Sequence, residues 1–137
     1  MPSRESEGYF APIAHSALGL AALQEFSGDE AARHLSQALV LARGRGAKAL
    51  VAECLYGTAA VAAMHGDPER ANRLWGAADA VKEETGMPLS IPEKLIVELY
   101  LGPAQSELAS DIRVAAKAEG SAMSLDAAIA YALGEAA

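Results

Sequence analysis

The stretch AVAAMHGDPERANRLWGAADAVKEETGMPLS, from Ala60 to Ser90, constrains the fold of this chain more than any other. It reads as the end of one helix, a tight turn and a second helix. Asp67 stands where a side chain caps the free amides of a first helical turn, and Pro68 has its backbone angle preset for that turn. Gly66 suits the left-handed residue that closes the helix before it. The same plan occurs earlier, in Leu20 to Phe26 followed by SGDEAARHLSQALVLARGRG, which ends at Gly46. Gly28 and Gly66 stand 38 positions apart (66 − 28), within the period of helical-hairpin repeats. A hairpin of this kind buries its apolar faces only by stacking on another, so the repeat implies an array of helices.

Composition agrees. The chain has 32 alanines among 137 residues and only 7 aromatics, which favours closely approaching helices over a β-sandwich. The length suits one compact domain spanning 1–137, divided into a first hairpin at 9–46, a second at 47–87 and capping helices at 90–137. About seven helices are expected. The first starts near Tyr9 to Ile13 and runs to about Phe26. The second runs from Glu30 to about Arg43, with Leu35, Ala38, Leu39 and Ala42 facing inward. The third, Ala47 to His65, is apolar nearly all round, with Val51, Cys54, Leu55 and Val61 on one stripe and Ala52, Ala59 and Ala60 on another; such a helix must be covered on more than one side.

The fourth helix, from Pro68 to about Thr85, should bury Ala71, Leu74, Ala78 and Val81 before Gly86 and Pro88 stop it. Ser90 caps a fifth helix reaching Leu101, whose apolar face is read as Leu95, Ile96, Leu99 and Tyr100. Gly102 and Pro103 should break or sharply kink it, because proline lacks a helical donor and disfavours α geometry at the residue before it. A sixth helix then runs to about Glu119 and ends at Gly120. Ser124 caps the last, in which Leu125, Ala128, Ile129, Ala132 and Leu133 face one way.

The formal net charge is −7, which argues against the nucleic-acid backbone as a partner, since that affinity rests on clustered Lys and Arg. The one basic cluster, Arg43, Arg45 and Lys48, falls in a turn. A lone Cys54 cannot form an internal disulfide and suits a reducing cytoplasm. No apolar window is long enough to span a membrane, and Met1 to Phe10 lacks the apolar core of a signal peptide.

Two separated stretches carry a family resemblance. LYGTAAVAAMHGDPERANRLWGAADAVKEETGMPLS (Leu55 to Ser90) and AEGSAMSLDAAIAYALGEA (Ala118 to Ala136) resemble, in order, the C-terminal tetratricopeptide-like region of large bacterial signal-transduction ATPases, including LuxR-type transcriptional regulators. The resemblance implies an all-α, right-handed, tetratricopeptide-like stack of antiparallel helical hairpins with a C-terminal helical cap. It also implies a role in a bacterial regulator. The family's ATPase and helix-turn-helix modules have no counterpart here: no G-x-x-x-x-G-K-(S/T) motif occurs. Gly102 and Pro103 interrupt what is usually a continuous helix in the family, and Lys117 stands where a bulky aromatic is common.

No residue pattern calls for catalysis, a metal or a cofactor. His15, His34 and His65 fall on separate helices, Cys54 lies on an apolar stripe, and no carboxylate pair shares a cleft. Trp75, adjacent to the inward Leu74, is read either as the filler of a gap between helices or as a binding anchor. Tyr56, Arg73 and Trp75 together are the candidate lining of a groove for a peptide or partner helix. Ile13, Leu18 and Leu35 are the candidate residues for self-association, because nothing in the sequence stacks before the first hairpin. The expected function is a non-enzymatic module binding a protein or peptide segment, or sensing a small-molecule effector. The alternative is a structural cap or homodimerisation element with no ligand of its own.

Overall fold

The computed structural model describes residues 27–135, and all regular structure among them is helical. Three helices follow one another through short turns: α1 (Gly28–Ala42), α2 (Lys48–Met64) and α3 (Pro68–Thr85). A longer rod comes next. It begins as α4 (Ile91–Ile96), passes through a π-helical segment at Val97–Leu101 and resumes as α5 (Gly102–Ser106). Helices α6 (Ser110–Ser121) and α7 (Leu125–Ala132) complete the described chain. With the rod taken as one helix these are six, and they correspond to the second to seventh expected from the sequence. The helix expected before Phe26, with Ile13 and Leu18, lies outside the described residues.

The turn chemistry read from the sequence is present. Asp67 accepts a hydrogen bond from the Arg70 amide at 3.1 Å, Pro68 opens α3, and Gly66 and Gly86 both take left-handed backbone angles. Ser90 and Glu93 form a reciprocal capping box at the start of α4, which satisfies two amides of that turn together. Ser124 caps α7 through the Ala127 amide at 3.1 Å.

Helix α2 is the centre of the core, packed by α1, α3, the π segment and α7. Its buried residues, including Val51, Cys54, Leu55, Tyr56, Ala59, Ala60 and Val61, run round most of its circumference. From α1, Leu35, Ala38, Leu39 and Ala42 enter this core, and the Leu35 methyl groups lie over Gly57 of α2. Burying each of the larger aliphatic side chains contributes roughly 1.5 to 3 kcal/mol, so the α1–α2–α3 layer supplies much of the driving force. Helix α3 is covered twice, by α2 on one side and α6 on the other.

Two expectations are corrected. Of the break or sharp kink expected at Gly102 and Pro103, the break does not occur: helical winding continues through both residues. The Gly102 amide donates to the Val97 carbonyl, five residues back, and the wider π winding makes room for the proline ring, which has no amide to donate. Gly102 itself keeps right-handed helical angles, tolerable before proline because it has no Cβ. Gly120 does not end α6 either: the helix runs on to Ser121, and Gly120 is buried where α6 crosses α3.

The inward face of α4 and the π segment agrees with the expected one at Ile96 and differs at Leu95 and Leu99. Glu93, Ile96 and Leu101 are buried, whereas Leu95 and Leu99 are exposed. The charged Glu93 turns in because Lys82 and the Ser90 amide meet its carboxylate there.

Candidate functional site

Three clusters of buried and half-buried polar side chains each tie one helix to another, while the buried Asn72 bonds within its own helix, to the Pro68 carbonyl. In the first, the Tyr56 hydroxyl of α2 donates a hydrogen bond to the Asp79 carboxylate of α3. Burial pushes the Tyr56 phenol far above its ordinary value; the hydrogen bond to Asp79, that carboxylate's charge and the charge of Glu93 push the same way. Lys117 of α6 reaches over the same place, its ammonium 3.8 Å from Asp79 and 3.7 Å from the centre of the Trp75 ring. A cation over an aromatic face in a partly dry site is attracted by the ring's negative face.

The second cluster is an ion pair between Lys82 and Glu93, 2.9 Å apart, in which the carboxylate is only 1 % exposed. The Ser90 amide donates to the same carboxylate oxygen at 2.7 Å. The other oxygen of Glu93 has no hydrogen-bond partner. The carboxylate is thus held by one ammonium and one amide, a minimal set for a buried charge.

The third cluster is built on Tyr131 of α7. Arg70 and Arg73, a helical turn apart on α3, place their guanidinium carbons 4.7 Å and 5.6 Å from the Tyr131 ring centre. Arg70 donates to the carbonyls of Tyr131 and Ala132, capping the C-terminal end of α7. Arg73 donates to the Tyr131 hydroxyl at 2.8 Å, to Glu119 at 2.9 Å and to Glu69 at 3.1 Å. The hydrogen bond to Tyr131, with Glu119 adding to it against the cost of burial, holds the guanidinium above its ordinary value. Nearby, Arg43 pairs with Glu135 at 2.9 Å.

The residues expected to line one groove are separated by this arrangement. Tyr56 is wholly buried between α2 and α3, so it lines no open surface. Trp75, 9 % exposed, fills the space beneath Lys117, which is the gap-filling role. Arg73 is the most accessible of the three and is engaged by α6 and α7. Leu35 belongs to the α1–α2 core, which removes it from any exposed self-association surface; Ile13 and Leu18 lie outside the described residues.

Sequence reasoning missed Glu93, Lys82, Arg70 and Tyr131. The pattern Ser90-x-x-Glu93 is a readable capping box, and Glu93 is in helical register with Ile96, Val97 and Tyr100, so its inward position had a local signal. The pairing of Arg70 with α7 spans 61 residues of sequence and had none.

In chemical terms the arrangement joins helices. A phenol whose ionisation is suppressed and a carboxylate neutralised by an ammonium make neither a nucleophile nor a base ready for a substrate. Among the described residues no three His, Cys, Asp or Glu side chains gather to hold a metal ion, and no helix is long and apolar enough to cross a membrane. The described residues form an all-helical domain. Comparison with family models, curated proteins and solved structures returns no match.

Proposed function

We propose that the chain is a non-enzymatic protein-protein interaction module, a tetratricopeptide-like stack of helical hairpins serving a cytoplasmic bacterial regulator of the signal-transduction ATPase or LuxR type. What carries this reading is the use to which the interior polar groups are put. Tyr56 with Asp79, Lys82 with Glu93, and Arg70 and Arg73 with Tyr131 each fasten one helix to another. The chain spends its chemistry on a rigid scaffold, and a rigid scaffold loses little conformational entropy when a partner binds. The order of the two sequence motifs at Leu55 to Ser90 and Ala118 to Ala136 supports the regulator context.

The partner is a protein or peptide segment. Large apolar side chains left exposed on α1 and α6, Val40, Ile112 and Val114, are the positions from which it is best sought. A photo-crosslinking residue at each position, used in a native lysate, should capture a product that excess unlabelled chain displaces. Absence of any displaceable product at all three, or turnover of a substrate by the purified chain, would overturn the reading.

A further inference from the structure

Helix α4 and the π segment that continues it carry a face that the rest of the described chain leaves open. Ile91, Leu95 and Leu99 are 74 %, 42 % and 63 % exposed and stand four residues apart, which lines them along one side of the rod. The same rod turns a glutamate, Glu93, inward, so this is an apolar row with a structural reason to face out. Lys94 and Glu98 border the row. Both are exposed, both fall on the same flank one helical turn apart, and neither takes part in an ion pair among the described residues.

We infer that this face binds a second copy of the chain, α4 against α4 in antiparallel orientation about a two-fold axis. Such an axis, perpendicular to both helices, reverses their direction and sets the same flank of each against the other. With the axis level with Ile96, Lys94 of each copy meets the partner's Glu98, and the pair forms twice. The register that matches the charges also matches the apolar row. The partner's Leu99 falls level with position 93, midway between Ile91 and Leu95, and the partner's Leu95 falls level with position 97, midway between Leu95 and Leu99. At about 1.5 Å per residue in α4, and somewhat less through the wider π segment, the two rows are ladders with rungs about 5 to 6 Å apart, offset by about half a rung, so they interdigitate.

Other pairings lose one of the two matches. An axis level with position 94 or 98 sets like charges against each other, and a parallel pairing turns the Lys94–Glu98 flank towards Pro92, where no charge answers it. An isologous contact needs one patch complementary to itself, and this row with its two charges meets that requirement. The inference stands apart from the partner-binding reading above, which a strictly monomeric chain would leave intact.

Sedimentation equilibrium tests it, with three exposed positions altered so that the fold is not at stake. The wild-type chain should dimerise reversibly. Lys94→Glu and Glu98→Lys should each weaken the dimer by about tenfold or more, because each brings like charges together on both sides of the axis. An equimolar mixture of these two variants should recover the wild-type affinity, since a Lys94→Glu copy and a Glu98→Lys copy complement one another. Leu95→Asp should be monomeric with an unchanged helical circular dichroism spectrum. A monomeric wild type, a dimer indifferent to Leu95→Asp, or a mixture no more associated than its components would each overturn the inference.

Discussion

Gly76 of α3 and Gly120 of α6 sit where the two helices cross, each against the other's backbone. A Cβ on Gly76 would lie 2.1 Å from the Lys117 carbonyl oxygen, and one on Gly120 would lie 1.8 Å from the Arg73 carbonyl oxygen. The Ser121 hydroxyl donates to the Gly76 carbonyl at 3.2 Å across the same crossing. This close approach is what brings Lys117 over Trp75 and Glu119 to Arg73.

Gly120→Ala should therefore push α6 away from α3. The added methyl meets backbone, which cannot swing aside as a flexible side chain would. The expected cost is about 1 to 3 kcal/mol or more, and it outweighs the roughly 0.5 to 1 kcal/mol that the better helix propensity of alanine would otherwise add. A lowered urea midpoint for Gly120→Ala and for Gly76→Ala checks this. An unchanged midpoint in both would show that the crossing is looser than described.

The Lys82–Glu93 pair calls for a double-mutant cycle. Lys82→Met strands a carboxylate that is 1 % exposed and should cost about 3 to 5 kcal/mol at neutral pH. Adding Glu93→Gln to it removes the stranded charge, and the double variant should recover most of the loss, because a buried ion pair replaced by uncharged groups of similar volume is often close to neutral. Additive losses in denaturation experiments would contradict the pairing.

Where the fold was legible in the sequence, the signal was local. Asp67, Gly66, Gly86, Ser90 and Ser124 act at helix ends through contacts a few residues away, and the stripes of α1, α2, α3 and α7 follow from spacing alone. The errors arose where a distant partner changed the meaning of a residue. Gly120 looks like a helix stop until α3 is placed against it. Leu95 and Leu99 look like a core face until Lys82 draws Glu93 inward and turns the rod. Tyr56 and Trp75 were visible as unusual residues in an alanine-rich chain. Tyr56 is buried by the packing of α2 on α3, and Trp75 is covered by Lys117 of α6, whose docking no periodicity encodes.

The two arginines on Tyr131 should act as the fastening of α7. Arg70 caps the carbonyls of Tyr131 and Ala132, and α7 is only eight residues long, too short to hold its shape without tertiary contacts. Arg70→Ala should leave global stability lowered by about 1 to 2 kcal/mol and should speed amide exchange selectively within Leu125–Ala132. Exchange that rises equally in α2 and α3 would show that Arg70 supports the core at large.

Alkaline titration gives the test of the Tyr56–Asp79 contact. In the unfolded chain a tyrosine ionises near pH 10, whereas in the folded chain burial first, and then Asp79 and Glu93, keep the Tyr56 phenol protonated well beyond that. The folded state therefore binds the proton more tightly. Its contribution to stability is fully present below about pH 10 and is lost as the pH rises further, at about 1.4 kcal/mol per pH unit. Tyr56→Phe has no proton to lose. At pH 7 it should cost about 0.5 to 1.5 kcal/mol for the missing hydrogen bond, with Asp79 turning to solvent. Above pH 10 the wild type should fall more steeply than the variant, and by about one further pH unit its advantage should be gone. Urea midpoints measured for both chains from pH 7 to 11 would show the two curves converging; parallel curves throughout would mean that the Tyr56 hydroxyl is open to water.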